Sequence, residues 1–189
     1  MPVGVLPIWN WMCTLAIFYK TARDWPVIVA ANRDDFLVRP ALAPTTLLQS
    51  PHVVGGKDLK AGGTWLGVNE HGLVAGLLNR HVETTANPNA RSRGLLCLDV
   101  LRNRTAAEAL AYVRTQRAAD YNPFNLLIAT RDDAVVAYHR AGAIESATLT
   151  PGLHLLTNLD LDDFECPRIS RSYGRFAALG ESAGFLEDP

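Results

Sequence analysis

Residues 12–35 read MCTLAIFYKTARDWPVIVAANRDD. Two runs within this stretch, 13–19 and 26–32, consist mainly of β-branched, aromatic and small residues, and a polar turn separates them. That pattern predicts a β-hairpin. Neither run alternates cleanly between apolar and polar residues. We therefore expect both faces of both strands to be covered, as in a sheet that lies between a second sheet and helices.

Downstream of the hairpin, the pattern predicts a loop and then a second hairpin. Residues 34–60 contain three prolines, which favour a long irregular loop. Two short, mainly apolar runs follow at 62–69 and 73–79. The connection between them contains Gly72, and glycine can adopt the positive φ that a tight turn needs without steric cost, so a second hairpin is expected.

The middle of the chain changes from the period of a strand to that of a helix. Residues 94–101 and 106–113 carry apolar side chains at helical spacing, and Thr105 with Glu108 three residues later forms a capping-box pattern. Strands are expected again over 124–130, 134–140, 145–149 and 153–157, before a final helix over 168–179. This order of strands, paired helices, strands and a helix predicts a layered α+β domain with antiparallel sheets.

Length and composition describe one globular domain with an ordinary surface. The chain has 189 residues, of which 48% are apolar and 20% charged, and its formal net charge is −1. Without a basic excess we expect no nucleic-acid partner and no binding to anionic membranes. No run approaches the roughly 18 uncharged residues that a membrane span needs, and residues 1–11 lack the Lys or Arg of a secretory signal. The sequence therefore predicts a cytoplasmic protein.

The side chains that commonly bind metals are not spaced for it. The three cysteines match neither a disulfide framework nor a Cys-x-x-Cys zinc site, and the five histidines show no metal-ligand spacing. We therefore expect a reducing compartment and neither a metal nor a cofactor. Cys97, on the apolar face of a predicted helix, and Cys166, before Pro167, are expected to be packing or loop residues.

Cys13 stands immediately behind Met12, at the start of the first predicted strand. Cysteine is small enough that an initiator methionine before it is usually removed, which would leave Cys13 with a free α-amino group. An amine with a pKa of about 7.7–8.0 would then lie within reach of a thiol with a pKa of about 8.5, so the residue would carry its own general base. The alternative is simpler, because a lone cysteine in an apolar strand is most often a core packing residue.

Other polar groups stand where predicted strands end. Residues 31–35 place an amide, a guanidinium and two carboxylates after the second strand, while Asn79 and Asn158 terminate later strands. Each of them also fits the start of a solvated loop or ordinary turn chemistry. Their combination is more informative than any one of them.

The motifs follow one another in a distinctive order. They are Met12-Cys13 before a strand, Ala31-Asn32-Arg33-Asp34-Asp35-Phe36 with Arg39-Pro40 behind it, Gly62-Gly63-Thr64-Trp65-Leu66-Gly67, Asn69-Glu70-His71-Gly72 with Asn79 following, Phe124-Asn125-Leu126, and residues 149–158 ending in Thr157-Asn158. Over about residues 12–175 this order resembles the NRDE family, also called the transport-and-Golgi-organisation protein family. One departure is Asp35, which stands where the name-giving motif has glutamate and keeps the carboxylate.

The resemblance implies an α+β fold, a four-layer αββα Ntn-hydrolase-like sandwich of antiparallel sheets that is distantly similar to choloylglycine hydrolase and penicillin V acylase. It also divides the chain in two. Residues 1–12 are an N-terminal extension, which is either a mis-called start or a propeptide, and residues 13–189 form a single domain. Family members continue past Pro189 into further strands, so we expect a C-terminally truncated domain. A sheet edge exposed in this way would pair with another chain, which predicts a homo-oligomer.

The resemblance also implies roles for individual residues. Cys13 matches the catalytic nucleophile, Asp34 the aspartate that holds its amine, and Asn79 the oxyanion-hole donor. Asn158 matches the asparagine of a catalytic Thr-Asn pair after a late strand. The expected substrate-binding residues are Asn32, Arg33 and Trp65.

The activity that follows is hydrolysis of a non-peptide C–N amide bond in a small molecule. Arg33 is expected to keep Asp34 ionised or to bind an anionic substrate. The alternative is a binding or trafficking protein on the same scaffold, which handles haem or an apolar ligand such as a lipid and serves secretory organisation without catalysis. In that case Cys13 or a histidine would be an axial ligand of haem.

Overall fold

The computed structural model describes residues 12–36, 38–83 and 85–184. The expected N-terminal extension lies outside the described residues up to residue 11. The strands are β1 (Thr14–Tyr19), β2 (Val27–Asn32), β3 (Ala41–Gln49), β4 (His52–Asp58), β5 (Leu66–Asn69), β6 (Val74–Asn79), β7 (Phe124–Ala129), β8 (Ala134–Arg140), β9 (Ala143–Thr148) and β10 (Gly152–Leu156). The α-helices are α1 (Arg93–Val100), α2 (Ala106–Arg114) and α3 (Pro167–Ser182).

The strands form two antiparallel sheets that pack face to face. The small sheet has the order β10-β1-β2, and the large sheet runs from β3 to β9 in sequence order. Helix α3 packs on the outer face of the small sheet, whereas α1 and α2 cover the outer face of the large one. The resulting layers are α, β, β and α, so the four-layer arrangement expected from the sequence is confirmed.

Strand β1 lies in the middle of the small sheet and is buried along its whole length. Leu15, Ile17 and Tyr19 point toward the large sheet, and Ala16 and Phe18 point toward α3. Both faces therefore meet apolar layers, which explains why no polar residue interrupts the strand. The prediction of two covered faces is confirmed for this strand.

The same prediction is wrong for β2. Val27, Ile28 and Val29 are half-buried, and the last three residues of the strand, Ala30 to Asn32, are exposed. The reason is the position of β2, which is the outermost of the described strands in the small sheet and pairs with β1 alone among them. Helix α3 packs more closely on β10, which lies on the other side of β1, than on β2.

The loop expected over residues 34–60 is also wrong. Most of this segment forms the paired strands β3 and β4, at the outer edge of the large sheet. Pro44 lies within β3, and β3 pairs with β4 alone among the described strands. A proline lacks the N–H that an inner strand must donate, but an edge strand tolerates it.

The three predicted helices are confirmed, with ends that differ by a few residues. The Glu108 backbone N–H donates to Thr105 Oγ1 at 3.1 Å, and Glu108 Oε2 accepts from the Arg104 N–H at 2.9 Å, so the capping signal is real. Cys97 is fully buried in α1, and Cys166 is buried at the start of α3, as expected for packing residues. Within the part of the chain that is described, no helix is both long and apolar enough to cross a bilayer.

The start of α1 is held close to the segment before β5. The Thr64 N–H donates to the Gly94 carbonyl at 3.0 Å. At Gly63 a Cβ atom would lie 2.1 Å from the Gly94 carbonyl carbon, so only glycine permits this approach. This contact sets the position of α1 against the large sheet.

A half-buried charge pair joins β10 to the turn that follows it, and it predicts a pH-dependent stability. His154 Nδ1 lies 2.6 Å from Asp162 Oδ2, and Nε2 lies 2.8 Å from the Thr150 carbonyl. Both ring nitrogens face acceptors, and the Asp162 hydrogen bond raises the pKa of His154 above its ordinary value. A group whose pKa is raised by folding stabilises the fold below its unfolded pKa of about 6.5, and that stabilisation is lost as pH rises through the higher folded value.

We expect Asp162→Asn to lower the free energy of unfolding by about 1 kcal/mol more at pH 6 than at pH 9, as for a partly exposed charge pair. The asparagine still offers Oδ1 to the Leu155 N–H, which Asp162 accepts at 2.7 Å, so the substitution removes mainly the charge. Urea unfolding at both pH values measures the difference. Equal losses at the two pH values would contradict the pairing.

Candidate active site

The β1–β2 hairpin brings Cys13 beside the polar run that follows β2. Thr14 pairs with Asn32 across the two strands, and the Thr14 N–H donates to Asn32 Oδ1 at 2.9 Å. The residue before β1 is therefore level with the residues after β2. Cys13 Sγ accepts a hydrogen bond from the Asp34 backbone N–H at 3.3 Å.

The surroundings of Cys13 keep its thiol protonated. Burial raises the pKa of the Cys13 thiol, the Asp34 backbone N–H lowers it in part, and the charges of Asp34 and Asp35 raise it further. A protonated thiol is a poor nucleophile, so it needs an adjacent base to become reactive. With Met12 attached, the nitrogen of Cys13 is an amide and cannot serve as that base.

Met12 itself is well anchored. Its side chain is 3% exposed and packs with Phe18, Leu155 and Ile169 in the apolar layer between the small sheet and α3. Met12 also lines a cavity of about 300 Å³ that contains Asn79 and Asn158. The residue that precedes the candidate nucleophile is therefore part of the packed interior.

Asp34 is held by two donors from different parts of the fold. Its carboxylate accepts from Asn32 Nδ2 at 2.7 Å and from Arg168 Nη2, in α3, at 2.9 Å. The expected partner, Arg33, makes its ion pairs elsewhere. The Asp34 carboxylate is thus fixed next to Cys13 by an arginine that follows it by 134 residues, for which the local sequence contains no signal.

Arg33 belongs to a neighbouring ionic network. Its Nη2 lies 2.6 Å from Asp35 Oδ2 and 3.6 Å from Asp58 Oδ2, and its guanidinium stacks 4.5 Å from the Trp65 ring. Arg39 donates to Asp58 Oδ2 at 2.7 Å and 3.0 Å. This network orders the segment after β2 against the end of β4.

Asp58 belongs to this network, and the sequence analysis did not single it out because it predicted a loop over residues 34–60. Burial by itself raises the pKa of its carboxyl, but hydrogen bonds from Arg39 and from the backbone N–H groups of Ala61 and Lys60 outweigh it, so the pKa is lowered. Asp58 therefore stays ionised and anchors both arginines of the network. The pairing of β3 with β4 is what carries it there.

Five of the seven predicted site residues line one cleft of about 540 Å³, called here the Cys13 cleft. They are Cys13, Arg33, Asp34, Trp65 and Asn79. The sixth, Asn32, lies behind them and lines a pocket of about 20 Å³ together with Cys13 and Trp65. The structure thus brings a thiol, a carboxylate and a side-chain amide to one opening.

Asn79 has the properties of an uncommitted donor. It ends β6, where it pairs with Phe124, and it lies on the boundary between the Cys13 cleft and the 300 Å³ cavity. Among the residues that the structure describes, its side-chain amide has no hydrogen-bond partner. A free N–H₂ group in the same cleft as a thiol is a candidate donor to the oxyanion that forms when the thiol attacks a carbonyl.

The seventh residue, Asn158, faces the adjoining cavity rather than the Cys13 cleft. Asn125 Nδ2 donates to the Thr157 carbonyl at 2.8 Å, and the His81 N–H donates to the Asn158 carbonyl at 2.8 Å, so the turn is held in place. Asn158 Oδ1 is buried and has no partner among the described residues. Most buried polar oxygens in folded proteins accept a hydrogen bond, so this one is exceptional.

Arg93 is a cleft residue that the sequence analysis missed. It lines both the Cys13 cleft and the 300 Å³ cavity, and it is the first residue of α1. No local motif marks it, because its position depends on how α1 packs. Within the described ranges, no group of three or more His, Cys, Asp or Glu side chains is arranged to hold a metal ion.

Comparison with solved structures shows the fold. An N-acylethanolamine-hydrolyzing acid amidase ortholog from Caenorhabditis elegans superposes with a TM-score of 0.55 and 17% sequence identity, over 78% of this chain and 70% of that one. At this identity the likeness speaks for the architecture alone. The expected Ntn-hydrolase-like fold is confirmed.

Comparison of sequences shows the family. The profile described as "Transport and Golgi organisation 2" matches residues 12–187. The homologous proteins of Bos taurus and Homo sapiens, both named for transport and Golgi organization, are 37% and 32% identical over 161 residues. These matches cover 77% of this chain and 57% of each relative, so the chain spans little more than half the length of those proteins. The chain belongs to the Transport and Golgi organisation 2 family.

Proposed function

We propose that this chain is an amidohydrolase of the N-terminal-nucleophile type, which cleaves a non-peptide C–N amide bond in a small molecule. Cys13 is the nucleophile and begins the active chain. The observation that carries this proposal is that Cys13, Asp34 and Asn79 all line one cleft, in which Cys13 Sγ accepts a hydrogen bond from the Asp34 backbone N–H. The domain that performs the reaction begins at residue 13.

The first step is attack by the thiol. The α-amino group of Cys13 takes the proton from Sγ, and Sγ forms a bond to the carbonyl carbon of the amide. The protonated amine then gives a proton to the leaving nitrogen as the C–N bond breaks. Water attacks the resulting thioester and releases the carboxylic acid, which restores the free thiol.

The neighbouring residues stabilise these steps. The Asn79 amide donates to the oxyanion that forms on the attacked carbonyl. Asp34, fixed by Asn32 and Arg168, stabilises the protonated amine through its charge. Asn158 Oδ1, which has no partner among the described residues, accepts a hydrogen bond from the same amine and orients it.

Met12 must leave before this chemistry begins. Its burial in the folded chain implies that it is removed from the nascent chain, before the layer between the small sheet and α3 closes. Removal creates the free amine and also empties space in the cavity that Asn158 lines. We expect the new amine to be the donor that Asn158 Oδ1 lacks among the described residues.

The test compares two chains that differ only at their start. One is expressed from Met12, so that removal of the methionine exposes Cys13, and the other carries residues 1–12. We expect the first to hydrolyse members of a panel of N-acyl amides about 10²–10⁴-fold faster, the usual contribution of a positioned general base. Intact-mass measurement of both chains, and of the protein from its natural source, establishes where each one begins.

Equal turnover by the two chains, or a natural protein that retains Met12, would overturn the proposal. A Soret band on addition of haem, or co-purified lipid without amide turnover, would instead favour the binding or trafficking protein.

We further propose a cytoplasmic location. All three thiols are free, as is usual for a protein in a reducing compartment.

A further inference from the structure

Among the described residues, Arg93 is a partly buried cation without an anionic partner. Its Nη1 donates to the Pro123 carbonyl at 2.7 Å. Within the described ranges, no other hydrogen bond and no ion pair involves its guanidinium. The remaining N–H groups of a guanidinium that lines the Cys13 cleft are therefore available to a ligand.

The other arginines that line the cleft form ion pairs with aspartates. Arg33 and Arg39 share the carboxylates of Asp35 and Asp58. Arg91, two residues before Arg93, lies 2.6 Å from Asp99. Unpaired positive charge in the cleft is thus concentrated at Arg93 and at the exposed Lys60, which also makes no ion pair among the described residues.

An unpaired charge in a partly buried position is costly, because the protein returns little of the solvation that water provides. Burial lowers the pKa of Arg93, and the positive charge of Arg39 lowers it further. Both causes act against the charged form, and an anion beside the guanidinium would relieve both. An anionic ligand would therefore stabilise the guanidinium of Arg93.

We propose that the cleft binds a carboxylate group of its ligand and that Arg93 is the residue that binds it. This inference rests on the proposed function and makes the substrate an acidic amide. A guanidinium offers a planar fork of N–H donors that matches the two oxygens of a carboxylate. Three aspartates, Asp34, Asp35 and Asp58, line the same cleft, and their charges disfavour a doubly charged group.

The experiment measures binding without turnover. In the full chain carrying Cys13→Ala, isothermal titration calorimetry compares hexanoate with hexanamide, which has the same shape and no charge, and with hexyl phosphate. We expect hexanoate to bind at least tenfold more tightly than hexanamide, equivalent to about 1.4 kcal/mol. Its affinity should fall as salt is added, whereas that of hexanamide should not.

Substitution of the arginine identifies the binding residue. Arg93→Gln is expected to remove the preference for hexanoate, and Arg93→Lys to keep part of it. Arg102→Gln is the matched control, because Arg102 is exposed beyond the end of α1 and lies 3.7 Å from Asp99 but is absent from the lining of the cleft. Thermal unfolding of each variant checks that it folds.

Three outcomes would overturn the inference. They are equal affinity for hexanoate and hexanamide, equal losses from Arg93→Gln and Arg102→Gln, and a preference for hexyl phosphate over hexanoate. Because the Cys13→Ala chain performs no chemistry, each outcome is independent of whether the amidohydrolase proposal holds. A carboxylate preference without turnover in the intact protein would leave the anion site standing and remove the catalytic proposal alone.

Discussion

Cys13→Ala, in the chain that begins at residue 13, is expected to lower amide hydrolysis by about 10⁴-fold or more, as for other nucleophiles that act as a unit with their base. The alanine keeps the α-amino group and removes only the sulfur that forms the thioester. Hydrolysis of an N-acyl amide under single-turnover conditions measures the loss. Mass spectrometry of the acid-quenched reaction should show an acyl adduct on the parent chain and none on the variant.

Cys97→Ala is the control for this substitution. Cys97 is completely buried in α1, and burial raises the pKa of its thiol, so it takes no part in the reaction. We expect the Cys97→Ala chain to hydrolyse the amide as fast as the parent chain. Iodoacetamide should modify the parent at Cys13 alone, because Cys97 and Cys166 are both buried. Retained hydrolysis in Cys13→Ala would rule out this nucleophile.

Gly63→Ala is expected to destabilise the fold by about 3 kcal/mol, at the upper end of the usual cost of overpacking. The new Cβ would lie 2.1 Å from the Gly94 carbonyl carbon and 2.4 Å from the Leu95 nitrogen. Both contacts are with backbone atoms of α1, which cannot rotate away as a side chain would. For a domain of this size the melting temperature should fall by about 6–12 °C.

Gly174→Ala provides the comparison. Gly174 lies inside α3, and a Cβ there would meet no atom within 4 Å. Alanine is the better helix former by about 1 kcal/mol, so this variant should be slightly more stable than the parent. Urea unfolding of both variants gives the two signs directly. A Gly63→Ala chain as stable as the parent would show that α1 is free to shift, and with it Arg93.

The local elements could be predicted because their signals lie within a few residues of one another. The turn at Gly72, with a φ of 78°, and the cap at Thr105 each depend on a handful of neighbouring positions. The hairpin of β3 and β4 could not be predicted, because Pro44 normally indicates a loop. Only its place at the edge of a sheet makes it compatible with a strand.

The contacts of the candidate site also fall into those that were expected from the sequence and those that were not. The family resemblance implied that Asp34 lies beside Cys13. The structure supplies the physical reason, because a hairpin brings the start of one strand beside the end of the next. The partners of Asp34 and Arg33 were not expected, since an ion pair forms over about 4 Å of space whatever the separation along the chain. Arg168 reaches Asp34 only because α3 packs on the small sheet.

The sequence by itself determined where the candidate nucleophile stands, that β1 is apolar on both faces, and that the domain is layered. These properties follow from residue order and hydrophobic pattern, which act locally. The tertiary structure alone decided that Asn158 faces an adjoining cavity, and that neither its Oδ1 nor the Arg93 guanidinium has a partner of opposite character among the described residues, apart from the Pro123 carbonyl that Arg93 contacts. Those properties depend on which layers pack together, because burial and charge pairing are set by neighbours that are distant in sequence.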